Sequence, residues 1–115
     1  MAVSIAAETH IEALTRVGRA LADPIRCRLL LALREGPAYP ADLAEVLGSS
    51  RSKLSNHLAC LRGCGLVVAV PEGRRVRYEF ADSHLAAGLS QLLGLVLAVD
   101  PDCACVDGCA VEVEP

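Results

Sequence analysis

The sequence predicts a mainly α-helical chain with one small β-hairpin, arranged as a winged helix-turn-helix, and three observations carry that reading. Apolar residues recur at helical spacing in stretches that open on capping residues and close on glycine or proline. Two of these stretches, Pro40–Leu47 and Arg51–Cys64, follow one another across only Gly48-Ser49-Ser50. Beyond Gly65 the period falls from that of a helix to that of a strand, and the chain turns back once at Gly73.

Each element has a local cause. His10 to Leu21 places Ile11, Leu14, Val17 and Leu21 on one helical stripe. Asp23-Pro24 supplies an N-cap followed by proline at the first helical position, and opens a helix through Leu29, Leu30 and Leu33 that Glu35-Gly36-Pro37 stops. Pro40 starts a short helix carrying Leu43, Val46 and Leu47, ended by Gly48. Ser49-Ser50 caps the next, whose inward stripe is Leu54, Leu58 and Leu61 and whose stop is Gly65. Leu66 to Val70 and Val76 to Phe80 read as strands joined by a turn over Pro71-Glu72-Gly73-Arg74. Asp82 caps a last helix to about Val99, and Asp100-Pro101 ends it. The first and last helices are too apolar to face water alone, so a homodimer pairing through them is expected.

The 115 residues, 12.1 kDa in mass, form one domain over residues 1–99 and an acidic tail over 100–115. Hydrophobic residues make up 53% and aromatic residues 3%, which predicts an aliphatic core and excludes a disordered chain. The net charge of −3 argues against a polyanionic partner only until it is divided along the chain. Met1 to Val99 holds all eleven lysines and arginines and nine acids, a net of +2, whereas Asp100 to Pro115 holds five acids and no base. Between Arg51 and Phe80 six basic residues face two acids, and the local field is what a polyanion meets.

On the helix opening at Arg51, the inward leucines leave Arg51, Ser52, Ser55 and Asn56 outward, flanked by Lys53 and His57. Arginine pairs with guanine, asparagine with adenine, and serine with bases or phosphate, so this half of the helix suits the major groove of double-stranded DNA. Arg74, Arg75 and Arg77 lie at or beside the hairpin turn, within reach of phosphates or a minor groove. A solvated helix face and a hairpin tip kept soluble by charge are the plainer alternatives.

Six cysteines in so short a chain need their own account. The N-terminus has no basic segment before an apolar run, which predicts a cytoplasmic protein with reduced thiols. Ser83 to Val99 is uncharged, but it is too short for a membrane span and contains His84, Ser90 and Gln91. Cys60 and Cys64 are four apart on one helix, so their thiols share a face and can converge on one soft ion. Two ligands are too few for a tight site, and Cys103, Cys105 and Cys109 in the tail are candidates for the rest. Cys27, alone between Arg26 and Arg28, reads as filler. There is no C-x-x-C, no cysteine beside a helix N-terminus and no glycine-rich phosphate loop, so the chain is not expected to be an enzyme or to take a small-molecule substrate.

These residues carry a family resemblance. Ala22-Asp23-Pro24-Ile25-Arg26 is similar to the helix opening of the ArsR/SmtB metal-responsive repressors. Ser52-Lys53-Leu54-Ser55-Asn56-His57-Leu58, Gly65-Leu66-Val67 and Gly73-Arg74 through Tyr78 resemble that family's recognition helix and wing. Cys60-Leu61-Arg62-Gly63-Cys64-Gly65 with a tail cysteine resembles its cadmium- and lead-sensing branch. The resemblance implies a dimeric repressor that leaves operator DNA when Cd(II) or Pb(II) binds. It also implies that Cys105 is the tail ligand and that the tail reaches in from the other subunit. Cys103 and Cys109 have no clear counterpart there. Two other sites of the family are not matched. After Asp82 and His84 the later positions of the last-helix zinc site fall on Leu95 and Ala98, and Ala41 to Leu47 has no cysteine. As(III), Hg(II) or Zn(II) as the effector, a thiol-redox switch among the tail cysteines, and a metal-buffering protein remain as rivals.

Overall fold

The computed structural model describes residues 5–100 and residue 102. Seven elements follow in order: α1 (Ile5–Leu21), α2 (Pro24–Arg34), α3 (Pro40–Leu47), α4 (Arg51–Gly63), β1 (Val67–Glu72), β2 (Arg75–Phe80) and α5 (Ser83–Leu93). The strands pair antiparallel, from Val67 opposite Phe80 to Glu72 opposite Arg75, which leaves a two-residue loop of Gly73 and Arg74. This is the winged helix-turn-helix the sequence predicts. Among the described residues, no helix is long and apolar enough to cross a membrane.

The caps are where the sequence places them. The Asp23 carboxylate accepts from the backbone N–H of Ile25 at 2.8 Å and of Arg26 at 3.1 Å. Ser50 Oγ accepts from Lys53 N–H at 3.1 Å, and Asp82 Oδ1 from His84 N–H at 2.7 Å. Each satisfies a donor that a helix start leaves unpaired. Gly48, Gly65 and Gly73 take φ of +64°, +86° and +64°, a left-handed backbone that closes α3, follows the end of α4 and turns the hairpin. The turn itself is tighter than expected, because Pro71 and Glu72 belong to β1. In a two-stranded sheet Pro71 costs little, since one side of its strand has no neighbour to bond.

The core is aliphatic. Leu29 and Leu30 of α2, Leu54, Leu58 and Leu61 of α4, and Val67 of β1 are fully buried, with Ala20, Leu33, Leu43 and Leu89 closing around them. Burying each such leucine contributes about 1.5–3 kcal/mol, so α4 is held by the stripe opposite its polar face.

Two helix ends differ from expectation by more than one residue. The first helix begins at Ile5 rather than His10. The last stops at Leu93 rather than Val99: Gly94 donates to Gln91 O at 3.1 Å and Leu95 to Leu92 O at 3.0 Å, tight bonds that end the helix. Beyond it Leu95, Val96, Leu97 and Val99 are exposed, Val96 by 94%, so nothing among the described residues packs against a further turn.

Candidate nucleic-acid interface and thiol pair

The first turns of α4 present a polar, cationic surface. Arg51, Ser52, Lys53, Ser55 and Asn56 are all exposed, because Leu54 and Leu58 turn the opposite side of the helix into the core. Arg51 and Lys53 have no side-chain partner among the described residues. Two clefts flank this face. One, of about 570 Å³, lies between α4 and the wing and is lined by Tyr39, Arg51, Ser52, Ser55, Arg74 and Arg75 among others. The second, of about 420 Å³, lies at the helix-turn-helix junction, with Lys53, Ser49, Ser50 and Arg28 in its wall. Sequence reading missed Arg28. It is 25 positions from Lys53 (53 less 28), and only the packing of α2 against α4 brings the two together.

His57 sits differently from its neighbours. Its side chain is 17% exposed, and Nδ1 lies 3.9 Å from Asp23 Oδ1, so the ring leans on the start of α2. The wing arginines also divide. Arg74 occupies the loop without a side-chain partner among the described residues. Arg75 stacks on the Tyr39 ring, 3.5 Å from its centroid, and lies 3.8 Å from Asp42 Oδ2. Arg77 donates to Glu72 Oε2 at 2.7 Å, with Nε 3.3 Å from Glu79 Oε1. The Tyr39 hydroxyl donates to the other oxygen of Glu72. That bond raises the phenol's pKa above its ordinary value, with burial and the Glu72 charge adding to it and Arg75 and Arg77 opposing.

Cys60 and Cys64 lie at the far end of α4. Cys64 is the C-cap, its backbone N–H donating to Cys60 O at 2.9 Å, and both thiols are free and partly buried. Cys64 packs against the core. The pair therefore offers two soft donors one turn apart, and no third metal-binding side chain joins them among the described residues. Cys103, Cys105 and Cys109 lie outside the described residues. Cys27 stands apart, its Sγ 3.2 Å from Leu21 O where α1 ends. His84 Nδ1 is 2.7 Å from Asp82 Oδ1, and Leu95 and Ala98 fall beyond the end of α5, so no ligand set gathers there among the described residues.

A cationic helix face, a helix-turn-helix and a wing define a winged-helix transcriptional regulator. The profile of bacterial regulatory proteins of the arsR family matches residues 23–68. The transcriptional regulator CmtR of Mycobacterium tuberculosis is 63% identical over 99 residues, which span 86% of this chain and 84% of that protein. The chain belongs to the arsR family of bacterial regulatory proteins. Among solved structures, the solution structure of the cadmium sensor CmtR from M. tuberculosis matches with a TM-score of 0.64 at 63% identity, covering 82% of this chain and 98% of that one. The homodimeric winged helix-turn-helix domain of a possible ArsR-family regulator from Mycobacterium bovis matches at 0.70 and 31% identity, covering 81% and 89%.

Proposed function

We propose that this chain is a cytoplasmic, homodimeric repressor that holds operator DNA in its metal-free form and releases it when a soft cation, Cd(II) or Pb(II), binds cysteine thiolates. The observation that carries the reading is the division of one helix. Arg51, Ser52, Lys53, Ser55 and Asn56 face solvent at the start of α4, and the free thiols of Cys60 and Cys64 sit at its end. A ligand that grips the second half can re-aim the first.

The reading assigns base and phosphate contact to those five residues and to Arg74, with His57, Arg75 and Arg77 beside them. It assigns the metal to Cys60, Cys64 and a tail thiol, Cys105 first, with Cys103 and Cys109 as further donors from the acidic segment 100–115. Thiolates select soft or borderline ions, and five acids without a base in that segment add attraction for a cation. Similarity to the cadmium sensor CmtR supports Cd(II) over As(III), Hg(II) or Zn(II) as effector. No catalytic constellation enters the account, and the chain acts by binding. A coupling of about 1–3 kcal/mol between metal and DNA, roughly 5- to 150-fold in affinity, is enough for such a switch.

The test is a fluorescence-anisotropy titration of the reduced protein against the duplex lying 5′ of its own coding sequence, with and without Cd(II). Binding without metal and release on adding Cd(II) are expected. Binding that Cd(II) leaves unchanged, or that thiol oxidation alone reverses, overturns the metal reading in favour of a redox switch.

A further inference from the structure

The wing holds three arginines, and their surroundings differ in kind. Across the hairpin, Glu72 takes Arg77 on one oxygen at 2.7 Å and the Tyr39 hydroxyl on the other. Glu79, two residues further along β2, lies 3.3 Å from the Arg77 Nε. Arg75 lies over the Tyr39 ring, 3.5 Å from its centroid, with Nη2 3.8 Å from Oδ2 of Asp42 at the start of α3. Arg74 alone has no partner among the described residues, and it stands in the loop at the hairpin's outer end. We propose that Arg75 and Arg77 are positioning residues that fix the wing against α3 through Glu72, Tyr39 and Asp42, and that Arg74 makes the wing's phosphate contact. The proposal rests on the DNA-binding reading above and divides its labour.

Two physical arguments carry it. The first is charge. A phosphate drawn toward Arg77 also meets Glu72 and Glu79, and one drawn toward Arg75 meets Asp42. Glu72 and Glu79 lie beside Arg77 and Asp42 beside Arg75, whereas Arg74 has no acid beside it among the described residues. A cation already neutralised in this way adds little to counterion release on DNA.

The second is mechanical. A two-stranded hairpin is at best marginally stable on its own. The base of this one is anchored by buried Val67 and by the bridge between Ala38 and Tyr78, where Tyr78 N–H donates to Ala38 O at 2.8 Å. In its outer half, Glu72 to Arg77, the polar network ties wing side chains to Tyr39 and to Asp42 at the start of α3. Tyr39 serves that network rather than its own helix, since it stands at the N-cap of α3 and makes no side-chain capping bond. The network therefore sets the width of the 570 Å³ cleft between Arg51 and Arg74, into which a DNA backbone would pass.

The experiment compares Arg74→Ala, Arg77→Ala, Glu72→Ala and the double variant Glu72→Ala/Arg77→Ala, all in full-length reduced protein without metal. Anisotropy against the duplex 5′ of the protein's own coding sequence is read across a salt series, with circular dichroism to confirm an unchanged fold. Arg74→Ala is expected to reduce the slope of log K against log salt by about one. Arg77→Ala should keep the wild-type slope and weaken binding about 2- to 150-fold, the range of coupled side-chain networks. Glu72→Ala should also weaken binding although it removes a negative charge from the DNA-facing side, and the double variant should be no worse than either single one. A slope loss in Arg77→Ala equal to that of Arg74→Ala, or tighter binding by Glu72→Ala, overturns the proposal while leaving DNA binding intact. A wild-type chain that binds no duplex overturns both.

Discussion

The imidazole Nδ1 of His57 lies 3.9 Å from Oδ1 of Asp23, and that carboxylate oxygen is also the cap of α2. One acid thus serves two helices: it satisfies the first N–H groups of α2 and faces the middle of α4. Burial works to raise its pKa. The N–H bonds from Arg26 and Ile25, aided by the charges of His57 and Arg26, outweigh that and hold it below the ordinary carboxylate value. The start of α2 and the pose of the DNA-facing helix are fastened at one point.

Asp23→Ala is accordingly expected to cost about 1 kcal/mol of stability, the usual loss of a helix N-cap. Asp23→Asn, which can still cap, should cost less. Because the folded-state pKa lies below the unfolded one, the contribution is complete above the unfolded value near ~4. It disappears as pH falls through the lowered folded value. Urea unfolding of wild type and Asp23→Ala at a series of pH values should show a constant difference in the neutral range that shrinks in acid, where the neutral carboxyl caps as Asn would. A difference that does not shrink at the acid end would mean that the carboxylate charge is not the cause.

Features set by near neighbours along the chain are legible in the amino-acid sequence alone. Asp23, Ser50, Asp82 and the stop at Gly48 act through bonds two to five residues away, so their identity locates the helix ends. The leucine stripe of α4 likewise fixes which face is left for Arg51 and Asn56. What the sequence hides depends on distant packing. The ion pairs of Arg75 and Arg77 follow from strand register and from Tyr39, Asp42 and Glu72, so three arginines in one turn read alike. His57 follows the polar face in sequence, yet the nearness of α2 draws its ring aside to Asp23. The end of α5 is hidden because apolar residues continue past Gly94 with nothing among the described residues to cover them.

Base recognition should be separable from phosphate attraction. Asn56 is exposed on the face of α4 that would enter the groove, and an asparagine reads adenine through two bonds. Asn56→Ala should reduce discrimination between the operator and a base-substituted duplex by about 1–3 kcal/mol without changing the salt slope. Lys53→Ala should do the reverse, lowering the slope by about one and weakening both duplexes alike. Competition anisotropy with the two duplexes at several salt concentrations gives both quantities. Equal loss on both duplexes for Asn56→Ala would assign that side chain to the backbone.

Self-association should depend on the first and last helices. Leu14 is 72% exposed, and Leu92 and Leu93 also face outward, which leaves apolar surface on both helices. In a two-fold dimer each substitution enters the interface twice. Leu14→Glu and Leu93→Glu should therefore shift sedimentation velocity toward monomer. Helicity should change little, because neither side chain belongs to the buried core. Operator affinity should fall with the dimer fraction, since two half-sites require two reading helices. A variant that stays dimeric would move the interface elsewhere.

The thiol pair gives a prediction that separates sensing from DNA binding. Cys60 is partly buried, one turn from Cys64 and on the far half of α4 from Asn56. Serine preserves its size but replaces a soft thiolate with a hydroxyl that binds soft ions poorly. Cys60→Ser should keep the wild-type operator affinity and salt slope, while Cd(II) no longer releases the DNA and the ultraviolet absorbance of cadmium thiolate falls. In the wild type, metal must displace protons from the thiols, so Cd(II) affinity should weaken as pH drops, with protons released on binding. Cys105→Ser should show the same loss of release if the tail closes the site, and Cys27→Ser should not. Release by Cd(II) that survives in Cys60→Ser would place the sensing thiols elsewhere, because the site is built on the helical pair and Cys60→Ser leaves only one of its two thiols.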